Sequence, residues 1–197
     1  KYKWTDGTQT PKQVTWTINR ATVSVPSQSG SLTYTGSTQS PTWAGYDSSK
    51  MTIGGTTSGT NAGSYNATFT PGSNYQWTDG GSAEKAVAWT IGKATGSLSL
   101  NKSSISLNVS KMSDTITVTR PGTGVISAVS SAPSVASVSV SGNVVTVTGK
   151  AKGNATITVS VAADTNYTAP ADKTCSVNVT LPTLSLIHIS EPTRPLY

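Results

Sequence analysis

SVASVSVSGNVVTVTGKAKGNATITVSV, residues 134–161, decides the fold class. Val138 and Val140, then Val145 and Val147, then Ala155, Ile157, Val159 and Val161 alternate with Ser or Thr. A period of two places each set on one face of a strand, whereas a helix needs apolar residues at i, i+3 and i+4. Between the first two runs Ser141-Gly142-Asn143 has the chemistry of a tight hairpin turn, and Gly153 permits the bend into the longest run. Working outward, the same alternation appears at Ile105, Leu107, Val109, at Ile116, Val118, and at Cys175, Val177, Val179. About seven such strands in about 85 residues, separated by turn residues, predict an immunoglobulin-like sandwich. Upstream the chain also reads as short β runs, and outside 184–197 no helical stripe appears. The expected class is therefore all-β, with tandem immunoglobulin-like β-sandwich modules. The 33 Thr and 30 Ser of the 197 residues fit this class, because Thr suits the solvated face of a strand.

The upstream half contains a repeat. Residues 1–22 read KYKWTDGTQTPKQVTWTINRAT and residues 74–95 read NYQWTDGGSAEKAVAWTIGKAT, identical at 12 of 22 positions at an offset of 73 without a gap. A repeat of this length is a small domain in an array rather than a solenoid coil. Trp16 alternates with Val14 and Ile18, and Trp89 with Val87 and Ile91, which predicts that both tryptophans face a core. Trp4 and Trp77 precede a Thr-Asp-Gly turn in phase with Tyr2 and Tyr75, which predicts aromatic packing across a hairpin. Of 13 aromatic residues 11 precede residue 94, so the two halves need different cores: aromatic bulk in the first, a thin aliphatic layer in the second. The expected organisation is residues 1–18 as the last hairpin of a truncated repeat module, 19–94 as a complete β module, 95–183 as the second sandwich, and 184–197 as a tail outside the fold.

Chemistry is tightly limited. One His, one Cys, two Glu and six Asp leave little from which to assemble an acid, a base and a nucleophile. Asp6, Asp47, Asp79, Glu84, Asp114, Asp164 and Asp172 are dispersed, mostly in turns where Asp accepts backbone N–H bonds. No D-x-D-x-D calcium pattern exists, and Asp164 with nearby carbonyls is the one place where an ion is conceivable. No catalytic, cofactor-binding or metal-ligating residue is expected. The net charge of +6 comes from 11 Lys and 3 Arg scattered singly, without the converging cations a nucleic acid requires. No run approaches the roughly 20 apolar residues of a membrane span. Cys175, in phase with Val177 and Val179, reads as a small core residue. Trp43 and Tyr46, in the less regular segment PTWAGY, are the candidate ligand contacts, because an exposed aromatic face suits the apolar face of a sugar.

The segments Ser134–Ser139, Gly142–Gly149 and Gly153–Val159 together resemble the bacterial immunoglobulin-like group 2 domain of intimin-like and invasin-like surface proteins, over about residues 95–180. Residues 19–91, with LTYTGSTQSP, NAGSYNATFTPGSNY and WTDG, resemble repeat modules that precede such domains in bacterial surface and phage tail-like proteins. Leu184–Arg194, LSLIHISEPTR, resembles a translated transposase-type sequencing adapter, which would place His188 and Glu191 outside the authentic chain. The resemblance implies a non-catalytic spacer, or stalk, outside the cell, on a bacterial surface or a phage virion. Its expected partners are neighbouring modules of the same chain. The alternative it implies is an adhesion module that contacts a cell-surface glycan or receptor, with no nucleic acid and no membrane insertion.

Overall fold

The computed structural model describes residues 1–180; the expected tail 184–197 lies outside the described residues. Every regular element among them is a strand. The first eight are β1 (Ala21–Val23), β2 (Ser27–Ser29), β3 (Leu32–Thr33), β4 (Thr42–Ala44), β5 (Met51–Gly55), β6 (Gly63–Pro71), β7 (Tyr75–Trp77) and β8 (Lys85–Gly92). They are followed by β9 (Ser99–Leu100), β10 (Ser104–Asn108), β11 (Ser113–Thr119), β12 (Ile126–Ser130), β13 (Ala136–Ser141), β14 (Val144–Gly149), β15 (Gly153–Val161) and β16 (Lys173–Thr180). Two compact units result: one from Lys1–Ser31, Gln39–Gly59 and Ser64–Trp89, the other from Leu32–Thr38, Thr60–Gly63 and the chain from Thr90 onward.

In the second unit β9 to β16 form two four-stranded sheets, ordered β10-β16-β15-β12 and β13-β14-β11-β9. Its opening strand is divided between them. β9 pairs antiparallel with β11, and β10 pairs in parallel with the last strand, β16. This partition of strands, with the third, sixth and seventh in one sheet and the second, fourth and fifth in the other, is that of the immunoglobulin sandwich. The apolar phase of β10, β11, β14, β15 and β16 meets the other sheet: Leu107, Ile116, Val118, Val145, Val147, Ile157, Val159, Val177 and Val179 are all buried in one cluster, whereas in β13 Ala136 is buried, Val138 half-buried and Val140, expected on the core face, exposed. Each such side chain contributes on the order of 1.5–3 kcal/mol by leaving water. Cys175 is buried in that cluster, as its phase predicts.

The hairpin at 141–144 forms as the sequence predicts. Ser141 pairs with Val144 across a two-residue loop. Gly142 has φ +56°, and among the described residues only glycines have positive φ. A positive φ at the first loop position only is a type II′ turn, whose twist matches that of the flanking strands. Two strands, β9 and β12, escape the alternation. In β12 the buried residues are Ile126 and Ser130 while Val129 is 67% exposed, so the apolar period is broken. Val109 departs from its expected phase because β10 ends at Asn108, whose carboxamide accepts the N–H groups of Ser110 and Lys111 in a turn.

The strands that precede β9 form a parallel pair β1-β7, an antiparallel pair β2-β4 and a sheet ordered β3-β8-β6-β5. Phe69, Trp77 and Trp89 are the largest buried side chains of the first unit. Trp89 stacks on Tyr65 with centroids 4.5 Å apart, and its indole N–H donates to the Thr56 carbonyl at 2.7 Å. Trp16, predicted to be equally core-facing, is 78% exposed. Trp89 is covered by Tyr65 of β6 and by Thr56, just after β5, whereas Trp16 lies outside every strand. Periodicity selects the face of a strand; a covering layer decides whether that face is dry.

Trp77 also differs from expectation. β7 pairs with β1, Val23 opposite Trp77, and the partners of the ring are the Lys85 ammonium, 5.6 Å from its centroid, and the Ala83 carbonyl, which accepts the indole N–H at 2.8 Å. The same turn is built at Trp4. Its indole N–H donates to the Thr10 carbonyl at 2.9 Å, Lys12 sits 5.7 Å from the ring and pairs with Asp6 as Lys85 pairs with Asp79, and Gly7 and Gly80 share φ +85°. The motif Trp-Thr-Asp-Gly with its lysine is therefore locally determined, since Trp4 is half exposed where Trp77 is buried.

Trp89→Ala is expected to destabilise the first unit by about 3–5 kcal/mol as a core truncation, and Trp16→Ala by no more than about 0.5 kcal/mol. Chemical denaturation of both variants checks this. Gly142→Ala, which meets no atom within 4 Å, is expected to cost about 1–2 kcal/mol through φ alone, with Gly142→Asn milder.

Candidate functional site

The aromatic step at Trp43 and Tyr46 is the candidate site. Trp43 lies on β4, opposite Gln28 of β2, and Gly45 at φ +80° turns the chain before Tyr46. Both rings pack on Phe69, buried in β6: Trp43 edge-on at 4.9 Å and 79°, Tyr46 tilted at 5.7 Å and 57°. Both are half-buried. The sequence placed the two residues near each other; their common seat on Phe69 is a contact between distant segments that no local pattern reports. The neighbouring acid is already engaged. Asp47 accepts the Ser49 hydroxyl at 2.6 Å, the Lys50 ammonium at 2.9 Å and the Ser49 N–H at 2.9 Å, and these hold its carboxyl at about 2.

The other engaged carboxylates are committed in the same way. Asp164 accepts backbone N–H bonds from Thr123 at 2.6 Å and from Asn166 and Tyr167 at 2.8 Å each. These donors, Thr123 first, lower its carboxyl to about 2. A cation would have to displace three aligned donors, so the residue is a loop lock. Asp114 is held well below the usual carboxylate range by Lys102 at 2.6 Å and Lys111 at 2.8 Å. Asp6 and Asp79 are lowered chiefly by their lysine partners, Lys12 and Lys85. Burial raises the Cys175 thiol, which leaves it an inert core group. Among the described residues no three His, Cys, Asp or Glu side chains group as a metal site, and no helix is long and apolar enough to cross a membrane.

One surface feature was not read from the sequence. On the sheet of β10, β16 and β15, Ser104, Ser106, Asn154, Thr156, Ser176 and Asn178 line a shallow open groove. Asn154 and Asn178 are register partners and share a hydrogen bond of 2.7 Å. They are the polar phase of the same alternation that marks the core. Their adjacency follows from the register of the consecutive strands β15 and β16, and β10, which pairs with β16 from far upstream, completes the groove.

No family profile and no curated protein matches the chain. Among solved structures it is similar to domains 4 and 5 of the S-layer protein SbsC, at 18% identity over 71% of this chain and 82% of that one, with TM-score 0.37. It is similar also to the fibronectin(III)-like modules of Clostridium thermocellum CbhA, at 16% identity over 83% and 96%, with TM-score 0.33. The tandem Ig repeats of Dlar match at 8% identity over 80% and 95%, with TM-score 0.34. Among the described residues the chain is all-β, and the sheet topology of its second unit is that of an immunoglobulin-like sandwich.

Two outcomes follow from this geometry. Because the Asp164 carboxyl is lowered in the folded protein, its contribution to stability is complete above the unfolded value of about 4 and is lost as pH falls through about 2. In thermal melts Asp164→Ala should lower the melting temperature of the second unit at neutral pH, and the gap to the wild type should close across that interval. Trp43→Ala should cost about 1–2 kcal/mol, less than Trp89→Ala, because the half-buried ring loses one aromatic pair and part of its burial.

Proposed function

We propose that the chain is a non-catalytic structural spacer in an extracellular array on a bacterial surface, and that its second unit is a bacterial immunoglobulin-like group 2 module. The observation that carries this reading is the duplicated segment at a 73-residue offset leading into an immunoglobulin-like sandwich. A chain that repeats a structural unit gains length, which is what a stalk requires. Two further features support it: Asp6, Asp47, Asp79, Asp114 and Asp164 all serve turns or ion pairs, and the one cysteine is buried. Catalysis would need at least one such group poised and accessible.

A second reading, an adhesion module for a cell-surface glycan or receptor, is favoured by the half-exposed rings of Trp43 and Tyr46. One pair of experiments separates the two. Pulled between its ends, a spacer unit should unfold in a single step that releases roughly 25–30 nm for the 82 residues from Ser99 to Thr180. On an array of bacterial and host glycans the spacer reading expects no retention. Retention that disappears with Trp43→Ala would replace it with the adhesion reading.

A further inference from the structure

The segment Lys12–Ile18 repeats the sequence of the first seven residues of β8 at Lys, Val, Trp, Thr and Ile, yet it runs outside every strand. Val14, Trp16 and Ile18 are 81%, 78% and 79% exposed, whereas Trp89 and Ile91, the equivalents of Trp16 and Ile18, are buried. Three large apolar side chains two residues apart make one face of a half-buried strand without its cover. Exposed together they are a contiguous apolar patch of the kind that marks an interaction surface.

The chemistry of the missing cover is on view at β8. In the sheet β3-β8-β6-β5 the strand lies between β3 and β6, Tyr65 of β6 stacks on Trp89, and Thr56, just after β5, accepts the indole proton. We infer that Lys12–Ile18 is a docking strand whose partner is the β5–β6 hairpin of a further copy of the 73-residue repeat. That hairpin would place a tyrosine on Trp16 and a backbone carbonyl on its indole N–H. Exchange with a second copy of this chain is the weaker alternative: entry of Lys12–Ile18 into that sheet would expel a β8 bearing the same apolar face, so no net area would leave water. The inference rests on the repeat, which also supports the spacer reading, and on the exposure of the repeat's first copy.

The test joins a second copy of residues 19–73 directly ahead of Lys1 of the full chain, which continues the repeat in phase, since residue 74 aligns with residue 1. Amide hydrogen exchange of the Lys12–Asn19 stretch is then compared with that of the unextended chain. Protection should rise by about 100-fold or more. It should vanish in the extended chain carrying Val14→Lys and Ile18→Lys, which alter side chains that are exposed in the unextended protein. The control Val129→Lys, at an exposed position of β12, should leave the protection in place. Exchange unchanged by the extension overturns the inference. Protection that survives Val14→Lys/Ile18→Lys overturns the docking face. Protection that appears in the unextended chain as its concentration rises, with dimer formation, overturns the choice of partner in favour of self-exchange.

Discussion

Trp89 is dry because Tyr65 lies flat against it and the Thr56 carbonyl takes its indole proton. The similar segment at Trp16 lies outside every strand, and its ring stands in water. This contrast isolates the constraint that governs the molecule: an alternating strand offers an apolar face, and a second layer must close on it. In the second unit each sheet is that layer for the other. Leu107 and Val177 come from one sheet, Ile116 and Val145 from the other, and together they exclude water from a core with no aromatic ring. The unit relies on shape and aliphatic area alone, and its single cysteine is one more packing group.

Turns supply the second requirement. A chain with only 11% charged residues and many short strands must satisfy loop N–H groups without many ionic partners. Aspartate does this repeatedly. Asp47 gathers its donors within its own loop, Asp164 takes Thr123 from another loop and Asn166 and Tyr167 from its own, and Asp6 and Asp79 accept the N–H two residues on while pairing with a lysine further along. The turn at Trp4 forms without the core that surrounds Trp77, so its lock comes from neighbours in the sequence. Carboxylates used this way have depressed pKa values and filled hydrogen-bonding sites. Those properties favour rigidity over proton transfer, which links the electrostatics of the loops to the functional reading.

The strand period, the hairpin at Gly142, the turn at Asp79 and the core position of Cys175 were legible in the residues themselves, because each depends on neighbours within a few positions. β12 was hidden because its buried positions include a serine and an exposed valine interrupts the period. The seat of Trp43 and Tyr46 on Phe69 and the groove beside Asn154 and Asn178 were hidden for a different reason. They are made by contacts between different strands, and alternation says which residues share a face without saying which strands share a sheet.

The sequence by itself determined the all-β class, the 73-residue repeat and the placing of most strands of the second unit, since these follow from side-chain period and turn chemistry. Only the tertiary structure decided which of the two repeated segments is buried, which carboxylates are bound to which loops, and how eight strands divide between two sheets. The physical reason is that burial belongs to a pair of surfaces. One strand carries half of the information, and the other half lies in whatever strand, near or distant in the chain, comes to cover it.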